Sequence, residues 1–399
     1  MEYLILAAFG AVFLIYSLLI RQLDKHEVTG PMFFVIVGIV FALVLPGFTN
    51  ELQGNFSYLL PVIELTLGVI LFSDAAKSRL KVLEHSLQYP SLLLLLALPL
   101  TIILGTLTAL VIFDSFSLIQ AMLLALILSP TDAALSKSLL LTSAVPAHIR
   151  EGINTESGLN DGLCVPLFLI LLGIAEFPLA SISVTEVVVL FSRELGIAIL
   201  IAVLCVTALI PLLKAAYARH YFATRSSPFL LVSFIILVFS LTQYANGSGF
   251  IAAFVAGLLY ARFAPTKLSH RLIKDSEYLA DLVALLVWCL LGMVSVYLVF
   301  DKLSWSIVLY ACLSATLIRM LPVMLSLLFT SLNYKERLTF AWFGPRGLAS
   351  IVFTLMLLDA QISGAEQIAI IAITTILISV FIHGISTNPI AHSYNKKRR

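Results

Sequence analysis

Between Tyr89 and Phe113 the chain runs for 25 residues without one charged side chain, and between Leu195 and Leu213 it does so for another 19. Runs of this length constrain the solvent before they constrain the fold. A helix needs about 20 apolar residues to cross a bilayer core about 30 Å thick. The same window along the rest of the chain gives spans near 3–20, 31–48, 57–76, 89–113, 116–137, 151–177, 194–213, 229–245, 249–264, 278–300, 304–330, 338–358 and 366–387, thirteen in all. The runs are continuous rather than alternating, which argues against transmembrane strands. Only 12% of the 399 residues are charged and 60% are hydrophobic. A soluble chain carries about 25% charged residues, so this one lacks the polar surface to cover a soluble body and is too apolar to be disordered. The expectation is an all-α polytopic membrane protein, with residues 1–399 forming one transmembrane domain.

The basic residues set the orientation. Of the 24 lysines and arginines, twenty fall in loops or at span ends on one side or in the tail Lys396-Lys397-Arg398-Arg399. Arg193 and Lys302 lie on the other side, while Arg319 and Arg346 fall within spans. Basic loops stay cytoplasmic, so the N-terminus is expected outside and the C-terminus inside a cell membrane. The first apolar run has no basic segment before it and no small-residue cleavage site, and is read as a retained span rather than a signal peptide. The tail after the last span is about a dozen residues, so no regulatory cytosolic domain is expected. No basic stripe is present outside the loops, which argues against a nucleic-acid partner. Cys164, Cys205, Cys289 and Cys312 lie in apolar runs without metal-ligand spacing and read as small buried side chains.

Thirteen spans divide as six, a linker and six: repeats at about 1–177 and 229–387, with a linker helix at about 194–213. Span five is interrupted by Ser129-Pro130-Thr131-Asp132 and span twelve by Gly344-Pro345-Arg346-Gly347. These are corresponding positions in two halves of opposite topology. Broken helices paired in an inverted repeat mark a transport site near the bilayer midplane.

Ionisable groups inside spans cost about 2.5–3.5 kcal/mol each on insertion scales, so each requires a reason. Among the charges inside the spans, Glu64, Asp74, Asp132, Glu156 and Asp161 stand against Arg319 and Arg346. Each arginine seeks a carboxylate; Glu156 is the candidate for Arg319, and Asp132 for Arg346 across the two breaks. Span six reads Glu156-Ser157-Gly158-Leu159-Asn160-Asp161, and its i, i+4 spacings place these polar groups on one stripe. Asp161 falls close to the midplane. The stripe offers hard oxygen ligands without imidazole or thiolate, which suits an alkali cation. Glu64 and Asp74 share span three at different azimuths, and spacing does not choose between them. His383, the only histidine in a span, reads as a packing residue.

These residues resemble the monovalent cation:proton antiporter-1 family, which includes the NhaP-type sodium/proton antiporters. The resemblance rests on Thr131-Asp132 at the break followed by Glu156-Ser157-Gly158-Leu159-Asn160-Asp161. It extends to Leu71-Phe72-Ser73-Asp74-Ala75-Ala76, Arg319 and Gly344-Pro345-Arg346-Gly347. Two departures from the family pattern are the extra Ser73 before Asp74 and a proline before, rather than after, Thr131-Asp132. The resemblance implies that Asp161 holds a cation and a proton alternately, with Ser157 and the Thr131 backbone helping to coordinate Na⁺. It implies that Asn160 orients its neighbours, that Asp74 rather than Glu64 lies near the ion site, and that the two arginine–carboxylate pairs are structural. It also implies a homodimer and no cofactor beyond the transported ions.

The expected function is therefore secondary antiport of Na⁺ or Li⁺ against H⁺, serving pH homeostasis. With Asn160 where a second acid would be needed, one proton exchanges per cation and transport is electroneutral. A K⁺/H⁺ or mixed-cation antiporter uses the same scaffold. A channel needs no single titrating acid and is disfavoured by the paired breaks. An enzyme is not expected, since neither a nucleophile–base pair nor HExxH-like spacing is present.

Overall fold

The computed structural model describes residues 2–44, 59–77, 88–136, 139–140, 142–176, 184–221, 223, 226–264 and 266–395. The basic residues Arg79, Lys81, Lys137, Arg225 and the four of the tail lie outside this set. The described residues form α1 (Glu2–Lys25), α2 (Gly30–Val44), α3 (Leu60–Lys77), α4 (Gln88–Ile112), α5 (Leu118–Ile127), α6 (Ala147–Glu176) and α7 (Val184–Ala218). They continue as α8 (Ser227–Tyr244), α9 (Gly249–Phe263), α10 (Thr266–Leu298), α11 (Trp305–Ser326), α12 (Tyr334–Trp342), α13 (Leu348–Asp359) and α14 (Ala365–Asn395). No strand occurs among the described residues. Seven of these helices are long and apolar enough to cross a membrane by length and composition. α3 has the length, but carries Glu64, Asp74 and Lys77. This is a multi-pass, all-α membrane protein.

Every apolar run coincides with a helix or a pair of helical pieces, but several helices outrun their apolar windows. α10 begins at Thr266, twelve residues before the expected span, and α14 continues to Asn395. A hydropathy window ends where lipid contact ends, whereas a helix continues through polar residues that face water or other helices. The departures inside helices have local causes. α4 widens to a π-helical turn at Leu93–Ala97, just before Pro99, whose ring clashes with the preceding turn. α11 breaks at Thr316, which takes φ −124° and ψ −93°, and resumes at Leu317. The sequence reading had treated this segment as continuous.

The helices pack in two groups. In the first, α2 lies against α10, α3 against α9, and α8 and α9 against their neighbours α10 and α7. α1 joins through rings: Phe13 and Tyr16 meet Phe34 at 4.8 and 5.2 Å. In the second, α4 packs on α5, α5 on α6, and α14 on α11 and α13. The groups meet where α3 faces α6 and α13, and where α10 faces α13 and α14. Large apolar side chains also cover the outside; Leu95, Val111, Leu200, Leu212 and Phe229 are all exposed, as lipid-facing surfaces require.

The two broken elements start alike. At α5, Ser117 Oγ accepts the Gln120 amide at 3.3 Å while Gln120 Oε1 accepts the Ser117 amide at 2.8 Å. At α12, Asn333 Oδ1 accepts the Glu336 amide at 3.1 Å and Glu336 Oε2 accepts the Asn333 amide at 3.0 Å. These capping boxes satisfy orphan donors at each start. Each helix then stops about three turns later: α5 gives way to non-helical chain at 129–132 and a 3₁₀ turn at Ala133–Ser136, α12 to non-helical chain at 343–347 and then α13.

A close crossing joins α2 and α10. A Cβ on Gly38 would collide with the Cys289 carbonyl, and one on Gly292 with the Val35 carbonyl. Neither neighbour can yield, because both are helix backbone. Gly292→Val should therefore cost at least about 2 kcal/mol and lower the melting temperature of the detergent-purified protein by several degrees. A variant that melts with the wild type would show that these backbones do not approach so closely.

Candidate ion site

Asp161 is the fifteenth of the thirty residues of α6, midway along a helix of the second group that faces α3 of the first. Asp132 and Arg346 lie on the two breaks, which touch: the Asp132 amide donates to the Pro345 carbonyl at 2.8 Å. The first break also lies along the polar stripe of α6. Ser157 Oγ donates to the Thr131 carbonyl at 2.6 Å and accepts the Ala133 amide at 2.7 Å. Asn160 Nδ2 donates to Thr131 Oγ1 at 2.6 Å and to Glu156 Oε1 at 3.1 Å, while its Oδ1 accepts the Thr131 amide at 3.4 Å. Thr131 Oγ1 donates to Glu156 Oε2 at 3.4 Å. Non-helical backbone at this depth needs such partners, and α6 supplies them.

The two carboxylates of the stripe differ. Glu156 takes a bidentate pair from Arg319, Nη1 to Oε1 at 3.2 Å and Nη2 to Oε2 at 3.0 Å, with both side chains at most 4% exposed. Gly344 makes room for that guanidinium, since a Cβ there would strike Arg319 Nε. Asp161 is 8% exposed, and its Oδ1 has no hydrogen-bond partner among the described residues. Asp132, Asp74 and Glu156 all lie within electrostatic reach of it. The arrangement is a buried carboxylate with a spare oxygen, one helical turn from a serine whose hydroxyl is bonded to a backbone carbonyl of the first break.

The expected Asp132–Arg346 pair is not formed. Arg346 is 1% exposed, and its guanidinium donates to the Ser314 carbonyl at 2.8 Å and the Ser129 carbonyl at 3.4 Å. Ser129 follows the C-terminal end of α5, and Ser314 lies just before the break in α11. Asp132 packs against Gly347, the N-cap residue of α13, where any side chain would collide with it. Each charge therefore meets helix ends of opposite sign instead of the other charge. The sequence reading missed this because the break in α11, which frees Ser314, has no obvious signal.

The remaining candidates separate along α3. Asp74 packs against Gly158 of α6, where a Cβ would sit 3.0 Å from the Asp74 Cβ. Glu64, ten residues earlier, has Asp359 at the end of α13 as its electrostatic neighbour. Thus Asp74, and not Glu64, lies at the polar stripe. His383 is fully buried beside the Trp342 ring, with Nδ1 2.8 Å from the Ser379 carbonyl; Ser379 Oγ accepts the Arg346 amide at 2.9 Å. The histidine thus supports the second break through Ser379. Cys164 and Cys289 are buried as expected, but Cys205 is half-buried and Cys312 exposed on the outer side of α11. In a lipid-facing helix an apolar thiol has no reason to turn inward.

The family model described as "Sodium/hydrogen exchanger, transmembrane" matches residues 8–392. The chain belongs to that family. Among curated relatives, a K(+)/H(+) antiporter NhaP2 from Shewanella sp. (strain ANA-3) is 24% identical over 366 residues, covering 89% of this chain and 61% of its own. The K(+)/H(+) antiporter NhaP of Alkalimonas amylolytica is 25% identical over 392 residues, covering 96% and 65%. The chain thus spans less than two thirds of the length of these relatives. Among solved structures, the sodium proton antiporter MjNhaP1 from Methanocaldococcus jannaschii superposes with a TM-score of 0.76 over 98% of this chain and 99% of that one, at 20% identity. This chain thus shares the fold of that solved antiporter across nearly its whole length.

The buried pair makes a sharp expectation within this family scaffold. Arg319→Met leaves the Glu156 carboxylate buried without its cation and should cost about 3–5 kcal/mol, seen as a lower melting temperature and yield. Glu156→Leu combined with Arg319→Met should recover part of that loss. Equal melting of wild type and Arg319→Met would mean that the pair is not buried.

Proposed function

We propose that this protein is a secondary antiporter exchanging Na⁺ or Li⁺ for H⁺ at Asp161. The observation that carries the reading is the orphan oxygen of a carboxylate buried at the middle of α6. Membership of the sodium/hydrogen exchanger family supports the same reading.

The chemistry follows from what each group has left to give. Glu156 is committed to Arg319, and Asn160 uses its donors and its acceptor on Thr131 and Glu156. Ser157 spends its proton on the Thr131 carbonyl and one lone pair on the Ala133 amide, keeping a second lone pair. A cation entering beside Asp161 takes the carboxylate, that lone pair and the Thr131 carbonyl as ligands. A proton takes the carboxylate alone. In either case the buried acid is neutralised; when empty it carries a desolvation penalty of several kcal/mol. That penalty makes release of one ion conditional on binding of the other. One carboxylate with no second acid at Asn160 gives one proton per cation, and therefore electroneutral exchange. The proposed setting is thirteen crossings in two inverted repeats, with the N-terminus outside and a cytoplasmic C-terminus, as the sorting of basic residues supports. Assembly as a homodimer belongs to the same proposal.

A second reading is K⁺/H⁺ exchange at the same site, favoured by the names of the Shewanella and Alkalimonas relatives. Oxygen ligands of this kind serve either cation.

Everted vesicles with an imposed ΔpH test both. Addition of Na⁺ or Li⁺ should collapse the gradient in wild type and leave it intact in Asp161→Asn. Collapse with K⁺ alone would transfer the substrate to the second reading; undiminished exchange in Asp161→Asn would remove the site from Asp161. In proteoliposomes with equal ion gradients, an imposed membrane potential should drive no net current, and a current that reverses with potential would rule out 1:1 exchange.

A further inference from the structure

Lys77 ends α3 and is half-exposed. Its ammonium lies 3.6 Å from Asp74 Oδ1 on its own helix and forms a second ion pair with Glu277 Oε1 on α10. Asp281, one turn further along α10, acts electrostatically on both carboxylates. Lys77 and Asp74 also line a cleft of about 30 Å³ with Asn154, Thr155, Gly158 and Leu159 of α6. That is room for one or two waters. The cleft lies between Asp161 and the Ala147 end of α6, the inner end in the proposed orientation, and Gly158 is three residues, about one helical turn, from Asp161.

We propose that Lys77 is a tethered competitor of the transported cation, and that Glu277 holds it partly clear of Asp74, so that the pair sets the apparent cation affinity from the inner side. The inference rests on the antiporter reading above. An ammonium and an alkali cation make the same demand on a carboxylate: one positive charge close to its oxygens. A cation passing the cleft must share Asp74 with an ammonium that is covalently present at all times. Glu277 weakens that competitor by binding it from the opposite side. It belongs to the polar start of α10, beyond the apolar window, and the sequence gives no hint that it meets α3.

The two partners of one ion pair should then act in opposite directions. Lys77→Met removes the competitor and should lower the apparent KM for the cation about two- to fivefold, the range of a half-exposed charge pair. Glu277→Gln leaves Lys77 to Asp74 alone and should raise KM by a similar factor. In the double variant the Glu277 change has no ammonium to release, so KM should stay as low as in Lys77→Met. Maximal rates per folded protein should change little.

The measurement is initial-rate ΔpH collapse in everted vesicles against Na⁺, Li⁺ and K⁺ concentration, normalised to folded protein. KM shifts in the same direction for both single variants, an unchanged KM in Lys77→Met, or an additive double variant would each overturn the inference while leaving antiport intact. A wild type that exchanges none of these cations overturns the antiporter reading, and this inference with it.

Discussion

Helices end inside this fold, and the charge at those ends has to be met without bulk water. α5 stops at Ile127, the first part of α11 at Ala315 and α12 at Trp342, while α13 starts at Leu348. Each end exposes backbone groups and a partial charge, and each unsatisfied group would cost several kcal/mol in hydrocarbon. Arg346 meets two C-terminal ends at once through the Ser129 and Ser314 carbonyls. Asp132 meets the N-terminal end of α13 at Gly347. The Thr131 and Ala133 backbone is met by Asn160 and Ser157. The polar side chains therefore sit where interrupted helices require them, and the ion-binding oxygens proposed above are a by-product of that requirement.

This accounts for the unequal roles of similar residues. Glu156 and Asp161 are five residues apart on one helix and both buried, yet only Glu156 faces a guanidinium. Arg319 reaches it because α11 breaks at Thr316 and because Gly344 has no side chain to block the path. A bidentate pair with further bonds from Asn160 and Thr131 is too well satisfied to release its carboxylate during a transport cycle. The capacity to exchange ligands therefore falls to the acid that the network leaves incomplete.

Long-range geometry limited what could be read from residue order. The helical class and the positions of the thirteen apolar runs were legible because lipid imposes a length and composition on any crossing segment. Both interruptions were legible because proline and glycine stand at them in the company of charge. Glu156 with Arg319 followed from charge balance and a shortage of partners. The Asp132–Arg346 pairing failed because that logic counts side chains and omits helix ends, and the breaks present ends of both signs. Glu277 escaped notice because a polar helical extension looks like a loop when judged by hydropathy. Spacing alone did not separate Asp74 from Glu64; the family resemblance favoured Asp74, and the contact with Gly158 is where α6 opens toward it.

The same geometry bears on how such a site can be reached from one side at a time. Asp161 is carried by α6, which packs with the broken helices, whereas Asp74 is carried by α3, which packs with α9 and α10. The two acids therefore approach across the boundary between the groups, with Gly158 providing the close contact. Within the proposed antiport, a sliding of one group past the other would change the Asp74–Asp161 relation while leaving Glu156–Arg319 and the crossing of the breaks intact, since those lie wholly within the second group. The strong buried pair and the capped helix ends would move together as one rigid unit. Only the weak, partly exposed contacts at the edge of the first group, those of Asp74, Lys77 and Glu277, would be remade in each cycle. Affinity is most easily adjusted there, since changing a half-exposed charge pair costs little stability compared with disturbing a buried one.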